Sequence, residues 1–169
     1  MKMLFMGDSL VEYFDWQKRF PQHIVTNLGM AGESVQGLFS RVLTVRDVCD
    51  SPDLIFLMSG INNLAMGDTA FINFYRVALE KLKASFPATR LYVCSLLPVN
   101  ADFIKDEDVL LVNRDLKALA LELEAVYLDI YSSFHHDDGK INLDCLLEDG
   151  VHISETGYHI WSGELQKII

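Results

Sequence analysis

The run Leu54-Ile55-Phe56-Leu57-Met58 is apolar throughout and is followed by Ser59-Gly60. A short apolar run without alternation is typical of a strand that is covered on both faces, as in a parallel sheet. We therefore predict a central strand over Leu54–Ser59. Four more candidate strands occur along the chain: Lys2–Met6, His23–Asn27, Arg90–Ser95 and Val126–Ile130.

Segments of helical period alternate with these strands. They are Val11–Arg19, Val35–Val45, Thr69–Ser85, Val109–Glu124 and Glu155–Ile168. In the last segment, Tyr158, Trp161 and Leu165 recur at intervals of three and four residues, and Ser154 precedes it as a candidate N-cap. Alternation of strands and helices predicts an α/β fold with a five-stranded parallel sheet.

The composition limits the class of protein. A length of 169 residues, with 50% hydrophobic residues, fits one globular domain over residues 1–169 and excludes disorder. The 14 basic and 24 acidic residues give a net charge of -10, which opposes binding to nucleic acid and to anionic membrane surfaces. The N-terminus has too short an apolar run for a signal peptide or stable membrane insertion. Because the three cysteines form no CxxC pair, we expect a cytoplasmic protein.

Small and polar residues follow three successive strands. Gly7-Asp8-Ser9-Leu10 follows the first, Gly29-Met30-Ala31-Gly32 the second, and Gly60-Ile61-Asn62-Asn63 the third. Ligands of open α/β sheets bind at the carboxyl ends of the strands. The sequence therefore predicts a binding site at this edge.

The residue types at this edge favour a serine hydrolase. Such an enzyme needs a nucleophilic hydroxyl, a neutral imidazole, a carboxylate that fixes the imidazole, and donors for the oxyanion. Ser9 lies at the turn from the first strand into the first helical segment, and Asp149 and His152 lie three residues apart before the last helix. We predict Ser9, Asp149 and His152 as the catalytic residues.

These blocks resemble the GDSL or SGNH hydrolase family of esterases and lipases over nearly the whole chain. The resemblance implies an oxyanion hole made by the backbone N–H groups of Ser9 and Gly32 and by the side-chain amide of Asn62. Gly29 stays open as the alternative to Gly32. The resemblance also implies the SGNH hydrolase fold, a three-layer α/β/α sandwich with flavodoxin-like strand order.

One position departs from the family pattern. Asn63 stands where the family usually has aspartate, although some members similar to platelet-activating-factor acetylhydrolase have asparagine there. Asp8, Leu10, Asn63 and Val151 adjoin the site residues in sequence and are predicted to contact substrate. The rest of the pocket is expected from the loops Val11–Trp16, Leu64–Asp68, Pro98–Asp106 and His135–Leu147.

No cofactor or metal is predicted. The string His135-His136-Asp137-Asp138 contains metal-binding residue types, but adjacent loop residues rarely converge on one ion, so a solvated loop is favoured. The leading hypothesis is a serine esterase that cleaves a small, acetyl-like acyl group from a small-molecule ester. A lysophospholipase, a thioesterase, a carbohydrate O-deacetylase and a catalytically silent binding or structural protein on the same fold stay open, as does homo-oligomerisation.

Overall fold

A computed structural model describes residues 1–169 and contains one five-stranded sheet, all of whose strand pairs are parallel. The strands are β1 (Lys2–Gly7), β2 (Ile24–Gly29), β3 (Leu54–Met58), β4 (Arg90–Cys94) and β5 (Val126–Leu128). Their order is β2-β1-β3-β4-β5, which is the flavodoxin-like order. Every residue of β3 is buried, so both faces of the sheet are covered at its centre. The predicted α/β fold class is confirmed.

Seven helices flank the sheet. They are α1 (Ser9–Glu12), α2 (Trp16–Arg19), α3 (Val35–Val42), α4 (Ile61–Ala65), α5 (Ile72–Ser85), α6 (Asp106–Glu122) and α7 (Glu155–Gln166). Three single 3-10 turns lie at Val45–Asp47, Tyr131–Phe134 and Leu143–Cys145. None of these helices combines the length and the apolarity that crossing a bilayer requires.

Aromatic rings connect three adjacent strands in the core. Phe5 of β1 stacks on Phe56 of β3 with 4.9 Å between ring centroids, and Phe56 stacks on Tyr92 of β4 at 5.0 Å. The strand register places Phe5 opposite Phe56 and Phe56 opposite Tyr92. Side-chain pairs at such opposite positions stabilise a sheet. Trp16, only 1% exposed, covers Phe5 at 4.3 Å. The core thus fixes β1, whose carboxyl end leads into Ser9.

The predicted helix Val11–Arg19 is wrong as a single element, because it is divided into α1 and α2. The Val11 carbonyl oxygen, which a continuous helix would use, accepts from the Trp16 indole N–H at 2.9 Å and from the Asn27 amide at 3.1 Å. The Asp15 carboxylate accepts from the Lys18 N–H at 2.9 Å and starts a new helix as its N-cap. Side chains therefore replace the backbone ladder at this break.

The bounds of several other helices and strands differ from the predicted ones by a few residues. Helix α6 begins at Asp106 rather than Val109, because three acidic residues in its first turn favour a helix N-terminus. Helix α5 begins at Ile72 rather than Thr69, and the one-turn helix α4 had no periodic signal. Strand β2 extends to Gly29, so this glycine belongs to the strand and not to the loop after it.

Candidate active site

A sharp turn from β1 into α1 presents Ser9. The Asp8 carboxylate caps α1 by accepting the Leu10 N–H at 3.0 Å. A Cβ atom at Gly7 would lie 2.0 Å from the Met58 carbonyl oxygen, so glycine is required where β1 and β3 end side by side. Ser9 is only 6% exposed at the helix start, and its backbone N–H has no acceptor within the chain.

Ser9, His152 and Asp149 form a continuous chain of contacts. Ser9 Oγ lies 3.0 Å from His152 Nε2, and His152 Nδ1 lies 2.7 Å from Asp149 Oδ2. The other Asp149 oxygen, Oδ1, accepts the N–H groups of Val151 at 2.9 Å and His152 at 2.8 Å. The carboxylate therefore orients the imidazole and favours the tautomer with its proton on Nδ1, which leaves Nε2 as an acceptor toward Ser9.

Local hydrogen bonds keep Asp149 ionised. Partial burial opposes its charged form, but the N–H groups of Val151 and His152 and the imidazole of His152 outweigh this and lower the pKa of Asp149. The turn that holds these residues depends on Gly150, whose φ of +69° suits glycine. A Cβ atom there would lie 2.0 Å from the Asn100 carbonyl oxygen. Asn100 in turn donates its N–H to the Gly150 carbonyl at 2.7 Å, which fastens the turn to the loop after β4.

The loop after β2 presents one free N–H group. Gly32 has a φ of +75°, and its N–H has no partner within the chain. The neighbouring Ala31 N–H donates to the Glu12 carboxylate at 2.6 Å, which fastens the loop to α1. The Gly29 N–H, by contrast, donates to Asn27 Oδ1 at 2.9 Å. Of the two glycines left open by the sequence, only Gly32 has an N–H available to a ligand.

Asn62 lies in the first turn of α4 and faces this loop. Its Nδ2 donates to the Glu33 carbonyl oxygen at 3.0 Å, and one amide hydrogen is left for another acceptor. Gly60 caps α4 with a φ of +131°, and a Cβ atom there would lie 2.7 Å from the Phe71 ring. Ser9, Gly32 and Asn62 thus offer three donors from the ends of β1, β2 and β3.

Three of the four residues predicted to contact substrate are buried, which corrects that prediction. Asp8 and Asn63 are 0% exposed and Leu10 is 2% exposed, so their side chains serve the interior and present no surface to a ligand. The fourth, Val151, is partly exposed beside His152. Sequence adjacency to a site residue is a poor guide here, because successive side chains at a strand-to-helix turn point in different directions.

Asn63 forms a polar network of its own. Its Oδ1 accepts the Val35 N–H at 2.9 Å, and its Nδ2 donates to Gln36 Oε1 and to Asp68 Oδ2, both at 2.8 Å. Hydrogen bonds from Asn63, the Ala70 N–H and Gln36 lower the pKa of Asp68. The carboxylate of this network is that of Asp68, next to which Asn63 serves as a donor.

Asp8 is a buried carboxyl directly beneath the site. Burial raises its pKa to about 7, although the Leu10 N–H and the charge of His152 act in the opposite direction. Asp8 Oδ2 and Ser59 Oγ are both buried without a hydrogen-bond partner. They directly follow Gly7 and Met58, which are paired neighbours at the ends of β1 and β3.

Tyr13 is a site residue that the sequence placed only in a candidate lining loop. Its ring stacks against the His152 imidazole with 5.6 Å between centroids and an interplanar angle of 28°. The residue is 61% exposed, so its ring is accessible to a ligand beside His152. Its position one helical turn after Ser9 is the only signal that sequence offers.

The string His135-His136-Asp137-Asp138 does not gather around one point. His135 pairs with Ile141 in a short antiparallel bridge, and its Nδ1 contacts the Tyr131 carbonyl oxygen at 3.0 Å. Asp138 pairs with Lys140 at 2.9 Å. A cavity of about 330 Å³ near α2 and α7 includes Phe14 and Asp15 of the expected lining loops but does not include Ser9.

Comparison with known proteins identifies relatives of both the sequence and the fold. Residues 5–160 match the GDSL-like lipase/acylhydrolase family. No curated protein matches the chain.

Solved structures share the fold at low identity. A protein from Streptococcus pneumoniae is 22% identical with a TM-score of 0.86, covering 98% of this chain and 82% of that one. A member of the lipolytic G-D-S-L family from Veillonella parvula is 23% identical with a TM-score of 0.83, covering 100% and 98%. An acetylxylan esterase from Geobacillus stearothermophilus is 17% identical with a TM-score of 0.79, covering 98% and 92%.

Proposed function

The chain belongs to the GDSL-like lipase/acylhydrolase family, and from this premise we propose that it is a serine esterase that releases a small acyl group through an acyl-enzyme intermediate. The observation that carries the proposal is the contact chain from Ser9 Oγ to His152 Nε2 at 3.0 Å and from His152 Nδ1 to Asp149 Oδ2 at 2.7 Å. The base is thus within hydrogen-bonding reach of the nucleophile on one side and of the orienting carboxylate on the other before any substrate is bound.

Acylation begins when Ser9 Oγ attacks the ester carbonyl carbon and His152 Nε2 takes the hydroxyl proton. The imidazolium that forms is stabilised by the Asp149 carboxylate at Nδ1. As the tetrahedral intermediate collapses, His152 gives the proton to the departing alcohol oxygen. Ser9 is then an ester of the acyl group.

The negative charge on the substrate oxygen is met by three donors. These are the free N–H groups of Ser9 and Gly32 and the second amide hydrogen of Asn62. Donors fixed in advance around the developing charge stabilise the transition state more than the ground state. The Ser9 N–H is free for this role because the other N–H groups at the start of α1 donate to Asp8.

Deacylation repeats the chemistry with water. His152 Nε2 takes a proton from a water molecule, whose oxygen attacks the acyl carbon, and the same three donors hold the oxyanion. Collapse of this intermediate breaks the bond to Ser9 Oγ, which receives the proton from His152. The carboxylic acid leaves, and the enzyme is restored.

We propose an acetyl-like acyl group, since none of the three described cavities is lined by Ser9 and none of them offers space for a long chain at the nucleophile. A net charge of -10 favours neutral or cationic esters over polyanionic ones. Three free, buried cysteines support the proposal of a cytoplasmic location.

The test is intact mass after exposure to a small fluorophosphonate. We expect one adduct on the wild type and on Ser51→Ala, an exposed serine control, and none on Ser9→Ala. Esters from acetyl to octanoyl and acetylated xylooligosaccharides then rank the substrates, with turnover highest for acetyl. Absence of labelling on the wild type would overturn the esterase proposal and favour a silent binding protein.

A further inference from the structure

A buried ion pair lies directly behind the loop that carries Gly32. Arg41 of α3 binds Glu33 through one edge of its guanidinium, at 2.6 Å from Nε to Oε1 and 2.5 Å from one terminal nitrogen to Oε2. The Glu33 side chain is 5% exposed and that of Arg41 is 24% exposed. Gly37 leaves room for the pair, because a Cβ atom there would lie 2.9 Å from Glu33 Cγ.

The pair connects the structures that carry two oxyanion donors. The terminal nitrogen of Arg41 also donates to the Leu28 carbonyl oxygen at 3.0 Å, near the end of β2. The backbone of Glu33 adjoins Gly32, and its carbonyl oxygen holds Asn62 Nδ2 at 3.0 Å. One guanidinium thus ties β2, α3 and the loop together, and one residue of that loop holds the Asn62 amide.

Stability alone explains this arrangement poorly. Removing two charges from water costs about as much as their attraction returns, so well-packed apolar residues usually stabilise a buried site as well as an ion pair does. A bidentate arginine-carboxylate contact does, however, fix direction and distance in a way that apolar packing cannot. Its value here is geometric.

We propose that Arg41 and Glu33 are positioning residues that fix the Gly32 N–H and the Asn62 amide relative to Ser9. The inference rests on the proposed function, since it assigns a task to groups that act only when an oxyanion forms. When Arg41 is removed, the Glu33 carboxylate is left buried without its partner and turns toward solvent. The Glu33 carbonyl then moves, and Asn62 loses the acceptor that holds its amide.

This mechanism predicts a selective kinetic defect. The donors bind the oxyanion more strongly than the substrate carbonyl, so their displacement lowers kcat and leaves KM nearly constant. Direct removal of one oxyanion donor costs roughly 10²–10³-fold in kcat. Because Arg41 acts through another residue, we expect Arg41→Met to lower kcat about tenfold, a smaller effect than direct removal of a donor.

The chain provides a matched control. Arg76 also binds a glutamate through two nitrogens, its two terminal ones, at 2.5 and 2.7 Å from Glu122, but this pair joins α5 to α6 on the surface. Arg76→Met should leave kcat and KM unchanged. Arg41→Lys should fall between wild type and Arg41→Met, because an ammonium cannot hold Glu33 and Leu28 in one plane.

The experiment measures kcat per labelled active site, with fluorophosphonate end-point titration counting only competent molecules. It compares Arg41→Met in the wild-type and Asn62→Ala backgrounds. If Arg41 acts through Asn62, its loss has a smaller effect once Asn62 is gone.

Equal losses in both backgrounds, an unchanged kcat in Arg41→Met or Arg41→Lys, or an equal defect in Arg76→Met would overturn the inference while the esterase proposal stands. A wild type that neither hydrolyses esters nor takes the label would overturn both.

Discussion

Replacing Asn63 by the aspartate that is usual in the family should destabilise this protein. Asn63 Nδ2 donates to Gln36 Oε1 and Asp68 Oδ2, both at 2.8 Å, in a site where Asn63 is 0% exposed. Asn63→Asp puts an oxygen in place of that donor. Gln36 Nε2 still donates to Asp68 Oδ2 at 3.1 Å, but the new carboxylate oxygen faces Gln36 Oε1 and Asp68 Oδ2 with no hydrogen between it and either of them.

The magnitude follows from the cost of supplying that hydrogen. Protonating an aspartate of ordinary pKa at neutral pH costs about 4 kcal/mol, from roughly three pH units at 1.36 kcal/mol each. This is an upper bound, because Asp68 is only partly buried and can turn toward water. We expect a loss of about 2–3 kcal/mol in the free energy of unfolding, or roughly 5–10 °C in Tm for a chain of this size.

The stability loss of Asn63→Asp depends on pH for the same reason. The substituted carboxyl has a folded-state pKa above its unfolded value, so its penalty is full at neutral pH and disappears as the pH falls toward about 4. Thermal unfolding followed by circular dichroism should therefore show the gap between wild type and Asn63→Asp narrowing in acid.

The double variant Asn63→Asp/Asp68→Asn exchanges carboxylate and amide, and the Gln36 amide can rotate to serve both. It should recover most of the lost stability near neutral pH. An Asn63→Asp variant as stable as wild type, or a loss of unfolding free energy that is the same at neutral pH as at about pH 4, would refute this account.

Three further outcomes are expected. Ester hydrolysis should fall in acid, because His152 must be neutral to accept the serine proton, and a flat pH–rate profile would contradict that role. Asp8→Asn should gain stability relative to wild type as the pH rises from about 4 to 7, by up to about 4 kcal/mol. In this range the Asp8 carboxyl ionises in the unfolded wild type but stays protonated in the fold, where burial raises its pKa to about 7, so ionisation favours unfolding. Equal pH dependence of Tm in the two proteins would count against this. Gly150→Ala should lower kcat at least about tenfold, since its Cβ would lie 2.0 Å from the Asn100 carbonyl, whereas Gly139→Ala, at a similar φ but with open space around it, should leave kcat unchanged.

Sequence patterns predicted the sheet more fully than the contacts within the site. The apolar run Leu54–Met58 and the turns after the strands were sufficient to place Ser9 and Asn62 at one edge, because parallel strands all end on the same side. The spacing of Asp149 and His152 indicated their mutual contact, since three residues is the reach of a single turn. That His152 meets Ser9 depended on the resemblance and on the topology.

Other features depend on contacts that sequence patterns do not encode. Burial of Asp8, Leu10 and Asn63 follows from how β1 and β3 pack against the first turns of their helices. The break between α1 and α2 depends on Asn27, which comes from a neighbouring strand and competes for carbonyl oxygens. The pairing of Glu33 with Arg41 is shared with the Leu28 carbonyl of β2, which accepts from the same guanidinium. In each case a distant partner decides the outcome.

The contact between Ser9 and His152 spans a sequence separation of 143. Helix α7 secures it from the far end, because Tyr158 donates to the Leu10 carbonyl at 2.9 Å and Ser162 accepts from Arg19 at 2.8 Å. During synthesis on the ribosome, the nucleophile emerges early but has no base until the segment around α7 has been released and has docked. On the proposed mechanism, a partly folded chain therefore does not hydrolyse esters, and hydrolysis begins only after α7 has docked.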